Sequence, residues 1–406
     1  MKRLIQMLTA ICLAFSVMAL TAAAVIGAQL PDDFLVEAGQ QLLLNDNIKE
    51  GTKQGVLDRK AAGESYQAQL SIFGIIPIKD VNVSVVSART VIPCGTPFGI
   101  KMFTDGVVVV GLTDVENSGG MINPAKKAGI QVGDVITDIN GRAIVTNEEI
   151  AEIISKSNGA ALTITYKRDG KVYSATLNPV KAKGDNRYKA GIWVRDSSAG
   201  IGTITFYDPT SGLFGGLGHP VCDVDTGEIL PLMSGEVVNV TITGVTKGIP
   251  GLPGELKGSF NSNGAEGSLI VNTQAGLYGM LNQSPSKHTA MPVALKQQVK
   301  EGRATILSTI DGMEPREYEI MIEKVDMGDT NPTKNLIIRI TDPKLLNVTG
   351  GIVQGMSGSP ILQDGMLVGA VTHVFVNDPA RGYGIFAENM LNQAESLRNT
   401  AKAKAS

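Results

Sequence analysis

The sequence predicts a mainly β, exported protein with an apolar helix at its N-terminus. Three observations carry that expectation. The 406 residues include 47 glycines but only 5% aromatics, a balance of short strands and tight turns over long helices. β-branched runs recur between Gly- and Pro-containing breaks from residue 67 to residue 376. Finally, Lys2 and Arg3 precede an uncharged, Leu-, Ile-, Ala- and Val-rich stretch from Leu4 to Pro31.

That stretch exceeds the roughly 20 apolar residues needed to cross a hydrocarbon core. The basic pair holds its start in the cytoplasm, so everything after Pro31 is expected outside. Two readings stay open: an uncleaved anchor over residues 1–31, or a signal peptide cut near Ala22-Ala23-Ala24. Residues 32–94 read as a stalk, up to about Arg59, and a β-rich region. In the latter, Gly74 and Pro77 divide the stretch from Gln67 to Val86 into two or three strands. The net charge of −3, with 18% charged residues, shows no basic excess, which argues against nucleic-acid binding. Cys94 and Cys222 lack CxxC spacing, so no metal site or disulfide framework is expected, and no cofactor.

From residue 95 to 180 the order is distinctive. Phe98-Gly99-Ile100 leads into a valine strand, Val107 to Val110. The segment AGIQVGDVITDINGRAI follows, then Thr146 and Glu149 at capping-box spacing ahead of an Ile150, Ile153, Ile154 stripe. Leu162, Ile164 and Tyr166 then alternate before an Asp169-Gly170 hairpin turn. This unit resembles a PDZ domain. The resemblance implies capture of a peptide terminus as an added strand, with Phe98, Gly99 and Ile100 at the carboxylate loop. The alternative left open is a groove filled by the chain itself.

After a polar linker, residues 188–400 read as strands and glycine turns closed by one short helix, fitting a sandwich or a double barrel. Here lies the strongest catalytic pattern, Gly355-Met356-Ser357-Gly358-Ser359-Pro360. A serine hydroxyl needs a base and an oxyanion site to act at neutral pH, and small neighbours let the backbone turn tightly around it. The loop resembles that of chymotrypsin-like peptidases, which makes Ser357 the nucleophile, with the Gly355 and Ser357 N–H groups as oxyanion hole. Only three histidines exist: His219, His288 and His373. His219, in the glycine-rich FGGLGHPV, is the expected base; His373 either meets substrate or ends a strand. For the orienting acid, Asp342 at the end of LIIRITDP competes with Asp223 and Asp225.

Together, GLGHPVCDVDTGE, NTQAGLYG, FGIIPIKD and GIVQGMSGSPILQDGMLVGAVTHVFVNDPARGYGIFAENML resemble the SpoIVB peptidases of sporulation. The resemblance implies a trypsin-like double β-barrel and catalytic His219, Asp342 and Ser357. It also implies cleavage of a membrane-bound regulator of an intramembrane protease and of the chain itself, from the forespore membrane facing the intermembrane space. Asp342 stands only fifteen residues before Ser357, closer than in digestive peptidases. Met356 replaces the carboxylate that pairs with a freed N-terminus in many of those enzymes. A quality-control protease of HtrA type and a PDZ scaffold without activity are the rival readings.

Overall fold

The structure is a computed structural model, describing residues 2–45, 47–51, 60–328 and 330–405. Helix α1 (Lys2–Gln29) contains one apolar stretch, Ile5–Gln29, long enough to cross a membrane. The expected stalk takes a different form. Its described part includes the strands Asp33–Glu37 and Ile48–Gly51, which join Ser65–Ile72 and Ile76–Val86 in a four-stranded sheet. The alternation of Phe34 and Val36, and of Val81, Val83 and Val85, sends these side chains to one buried face. Residues 52–59 of the expected stalk lie outside the described residues.

Two six-stranded barrels follow. The first comprises β1 (Pro97–Leu112), β2 (Ile192–Tyr207), β3 (Leu213–Gly216), β4 (Leu232–Thr246), β5 (Glu255–Thr273) and β6 (Gly276–Leu281). Their pairing order is β1-β4-β5-β6-β3-β2, and the ring closes because β2 pairs back onto β1. The second, also closed, comprises β7 (Gly302–Ser308), β8 (Arg316–Val325), β9 (Leu336–Ile340), β10 (Pro360–Gln363), β11 (Met366–Phe375) and β12 (Asp378–Phe386), in the order β7-β8-β9-β12-β11-β10. Ile306, Ile320, Ile338, Ile361 and Val371 fill its interior. A closed ring leaves no free sheet edge and gives each strand one apolar face.

The PDZ unit is welded to the first barrel. The far half of β1 continues the barrel strand and pairs through Val107 and Val108 with Val135–Ile139, beside Leu162–Arg168 and Lys171–Leu177. Helix α2 (Asn147–Lys156) begins with the expected capping box, Thr146 with Glu149, and buries Ile150 and Ile154. The start of β2 also belongs here: Ile192 and Val194 pack on this core, and the Asp196 carboxylate accepts the first amide of α2, Asn147 N–H, at 2.9 Å.

This placement corrects the expected peptide groove. Phe98, Gly99 and Ile100 are buried, with both strand edges taken: β2 residues Gly202, Ile201 and Gly200 on one side, β4 residues Asn239, Val238 and Val237 on the other. Phe98 meets Phe214 edge-on at 5.7 Å inside the first barrel. The physical reason is continuity. A sixteen-residue β1 has no hairpin after the FGI segment, so that segment stays in the barrel wall. Phe98→Ala should therefore act as a core truncation, costing about 3–5 kcal/mol. A thermal melt that does not move would restore these residues to an open surface.

Candidate active site

The nucleophile loop is built by backbone rules. Helix α3 (Pro343–Thr349) ends at Gly350 in the left-handed region, and the chain then enters the loop carrying Gly355 to Ser359. Gly358, at φ 95°, is obligatory: a Cβ there would lie 2.0 Å from the Thr203 carbonyl oxygen. Met356 is fully buried in the second barrel's core and anchors the loop from below. The amides of Met356, Gly358 and Ser359 donate to Val353, Val371 and Met356 carbonyls. Among the described residues, those of Gly355 and Ser357 donate to nothing. Two unspent N–H groups flanking the hydroxyl are what an oxyanion site requires.

Ser357 Oγ is half-buried and donates to the Thr372 carbonyl at 2.7 Å. Ser359, the neighbouring serine, is wholly buried and donates to Ser308 Oγ at 3.1 Å, a structural contact. His219 reaches the same place from the first barrel. Gly218 packs against the Thr372 side chain, and the His219 ring lies 4.9 Å from that of His373, centre to centre. The dipeptide Thr372-His373 thus touches both Ser357 and the His219 loop.

Nδ1 of His219 lies 2.8 Å from the Pro220 carbonyl oxygen. A carbonyl only accepts, so Nδ1 carries the proton and Nε2 is left with the basic lone pair. Burial holds this imidazole below its ordinary pKa, while the Pro220 contact pulls weakly the other way. His373 is pushed to about 4 by burial and by His219 and Lys334, and its Nδ1 is buried without a partner. Burial thus disfavours the charged form of both imidazoles, and His219 adds to that effect on His373. His288 is exposed on a loop elsewhere.

Asp342 is not brought to the imidazole. Its carboxylate is the N-cap of α3, accepting from Lys344 and Leu345 amides at 2.8 and 2.9 Å. The physical reason is local: Asp-Pro is a strong helix start, and α3 begins at once after β9. The rivals are also engaged, since Asp223 and Asp225 both bind Arg195. Cys94 and Cys222 are free thiols.

Sequence reasoning missed Thr203 and Thr205. Thr203 Oγ1 donates to the Gly355 carbonyl at 2.8 Å, Thr203 N–H to the Ser357 carbonyl at 3.0 Å, and Thr205 Oγ1 to the Gly358 carbonyl at 2.7 Å. The Thr203 carbonyl also accepts from Leu217 N–H at 3.3 Å, so one residue ties the serine loop to the histidine loop. The available signal was two threonines among the apolar residues of the strand's wholly buried last stretch, Gly202 to Tyr207.

A model of the SpoIVB peptidase S55 family matches residues 186–391, and a PDZ domain model matches residues 98–178. Curated relatives include a putative zinc metalloprotease of Neisseria meningitidis, 27% identical over 158 residues, 38% of this chain and 35% of that one. A probable CtpA-like serine protease of Staphylococcus saprophyticus is 32% identical over 93 residues, 22% of this chain and 18% of its own. The chain spans about a third or less of the length of these relatives. Among solved structures, the PDZ domain of an SdrC-like protein from Listeria monocytogenes is 27% identical, covering 22% of this chain and 87% of its own, with a TM-score of 0.19. The thermostable serine protease AL20 from an extremophilic microorganism is 12% identical, covering 49% and 92%, with a TM-score of 0.28.

Two outcomes follow from the site. Thr203→Val, which keeps shape but strands the Gly355 carbonyl, should cost about 1–3 kcal/mol in stability and slow hydrolysis, while Thr203→Ser keeps both near wild type. Equal behaviour of the two variants in melts and peptide assays would remove the hydroxyl's role. With a base held below the ordinary imidazole pKa of 6.5, the acid limb of the kcat/KM profile should have its midpoint below that value. A midpoint above it would contradict a neutral, buried His219.

Proposed function

Because the chain belongs to the SpoIVB peptidase S55 family, we propose that it hydrolyses peptide bonds through Ser357, with His219 as general base, at the outer face of a membrane. The observation that carries the reading is the convergence on Thr372-His373. A serine loop with two free amide donors and a loop bearing a histidine with a free Nε2 pack against the same two residues.

The geometry is that of a resting site. The Ser357 hydroxyl donates to a backbone carbonyl, so attack requires that it leave this acceptor and donate to His219 Nε2 instead. Catalytic hydrogen bonds often tighten only when substrate is bound. In the proposed cycle His219 Nε2 takes the hydroxyl proton as Oγ attacks the scissile carbonyl. The Gly355 and Ser357 amides hold the tetrahedral oxyanion, and the imidazolium returns its proton to the leaving amine. Water then releases the acyl group by the same route. Pro220 fixes the tautomer throughout. Asp342 is kept as the acid expected of the family; acting on His219 requires its cap on α3 to open.

The substrate in this reading is a membrane-bound regulator of an intramembrane protease, cut in sporulation signalling, together with the chain itself. Family membership and an apolar helix α1 long enough to cross a membrane support it.

Ser357→Ala should abolish both peptide cleavage and labelling by a fluorophosphonate, whereas Ser359→Ala should keep both with some loss of thermal stability. The reverse pattern would move the nucleophile to Ser359, and an unlabelled wild type would leave a scaffold. Asp342→Asn separates the two roles of that residue, because Asn caps a helix about as well as Asp. An acid role predicts a loss of about four orders of magnitude in kcat, with the melting temperature unchanged. Full activity confines Asp342 to capping.

A further inference from the structure

The hairpin joining Ser65–Ile72 to Ile76–Val86 ends in Phe73-Gly74-Ile75, and its side chains are left in the open. Phe73 is 66% exposed and Ile75 83%. From Ser71 to Ile78 no residue carries a charge. Isolated apolar side chains on a surface need no explanation, but two at one tip, next to a membrane-crossing helix, do.

The direction of the hairpin is set by its contacts with α1. Gly27 packs against Ile78, Lys79 Nζ donates to the Leu30 carbonyl at 2.9 Å and pairs with Asp32 at 2.6 Å, and Asp33 is paired in register with Asn82. Rising residue numbers in the strand therefore follow rising numbers in the leader. Falling numbers, from Ile78 through Ile76 to the tip, run back along the helix into its apolar stretch. Ile26 packs on the same sheet, and Ala23, one turn earlier on that face, is buried as well. Four residues of strand, at most about 13 Å, separate the tip from the Gly27 contact, so the tip stands toward the outer end of that stretch.

The apolar stretch Ile5–Gln29 has 25 residues, roughly 37 Å of helix against a hydrocarbon core of about 30 Å. Its last turns therefore lie in the outer interfacial layer, where aromatic side chains are favoured. The tip's backbone is prepared for that layer: Phe73 N–H donates to the Asn47 carbonyl at 2.7 Å and Ile75 N–H to the Ile72 carbonyl at 3.0 Å. Donors already paired do not oppose transfer from water. The polar Asn47 beside the tip favours the headgroup layer over the acyl core. The Lys79–Asp32 pair marks where the polar exterior begins.

We propose that Phe73 and Ile75 insert into the outer interface of the bilayer that α1 crosses, forming a second, reversible contact that lays the N-terminal sheet against the membrane. The occupant is lipid. The proposal rests on the reading of α1 as a membrane span and is independent of the peptidase chemistry.

The test uses the full chain in phosphatidylcholine vesicles, with and without bromine on the acyl chains. Phe73→Trp and Ile75→Trp are each made in a Trp193→Phe background, which removes the one native indole. Val224→Trp in the same background is the reference, because Val224 is 85% exposed on the peptidase body. The introduced indole at either tip position should emit to the blue of the reference and lose most of its intensity to brominated lipid, while the reference is unaffected. Tip indoles that match the reference overturn the proposal. So does a blue-shifted emission that bromine does not quench, since protein rather than lipid would then cover the tip. A chain that fails to float with the vesicles overturns the membrane span itself, and the tip contact with it.

Discussion

One strand, β2, holds the molecule's working parts together. Its first residues complete the PDZ core and cap α2 through Asp196; its last residues clasp the nucleophile loop through Thr203 and Thr205. A loop like that from Gly355 to Ser359 has no ladder of its own, and its carbonyls must be paid out to donors elsewhere. Three of those carbonyls end on β2. The loop's two free amides keep their direction because the opposite faces of the same segment are fixed.

The same continuity explains the fate of the PDZ groove. Capture of a peptide as an added strand needs an exposed sheet edge. Here β1 runs straight from barrel to module, so both edges at Phe98 to Ile100 are satisfied within the chain. Pairing order, rather than local sequence, decides this, and no periodicity in residues 95–112 distinguishes one long strand from a hairpin.

Much of the rest was legible because its signals are local. The capping box at Thr146, the strand break at Gly74 and the apolar leader helix each depend on residues a few positions apart, and each is present in the structure, whereas the break expected at Pro77 is not, since Pro77 lies inside Ile76–Val86. What could not be read depends on long-range pairing. The strand role of residues 33–37 needs Ile76–Val86 as its parallel partner. The service of Thr203 to Gly355 spans 152 positions. The meeting of His373 with His219 also follows from how one barrel abuts the other. Asp342 shows the converse case: Asp-Pro after a strand is a local signal that fits both a carboxylate aimed at an imidazole and a helix cap, and in the resting structure the carboxylate caps α3.

The two imidazoles give the site its electrostatic character. His219 and His373 share a half-buried position, and neither has a carboxylate within hydrogen-bond reach among the described residues. An acid beside His219 would raise its pKa and stabilise the imidazolium that the proposed attack by Ser357 would form; burial does the reverse. The resting geometry therefore favours a neutral base and withholds the charge stabilisation that the transition state needs. A carboxylate arriving with substrate, or released from the cap of α3, would reverse that balance if it met the imidazole. A peptidase that has itself among its proposed substrates has reason to rest in this state, because a site fully charged on folding would act before its partner arrived.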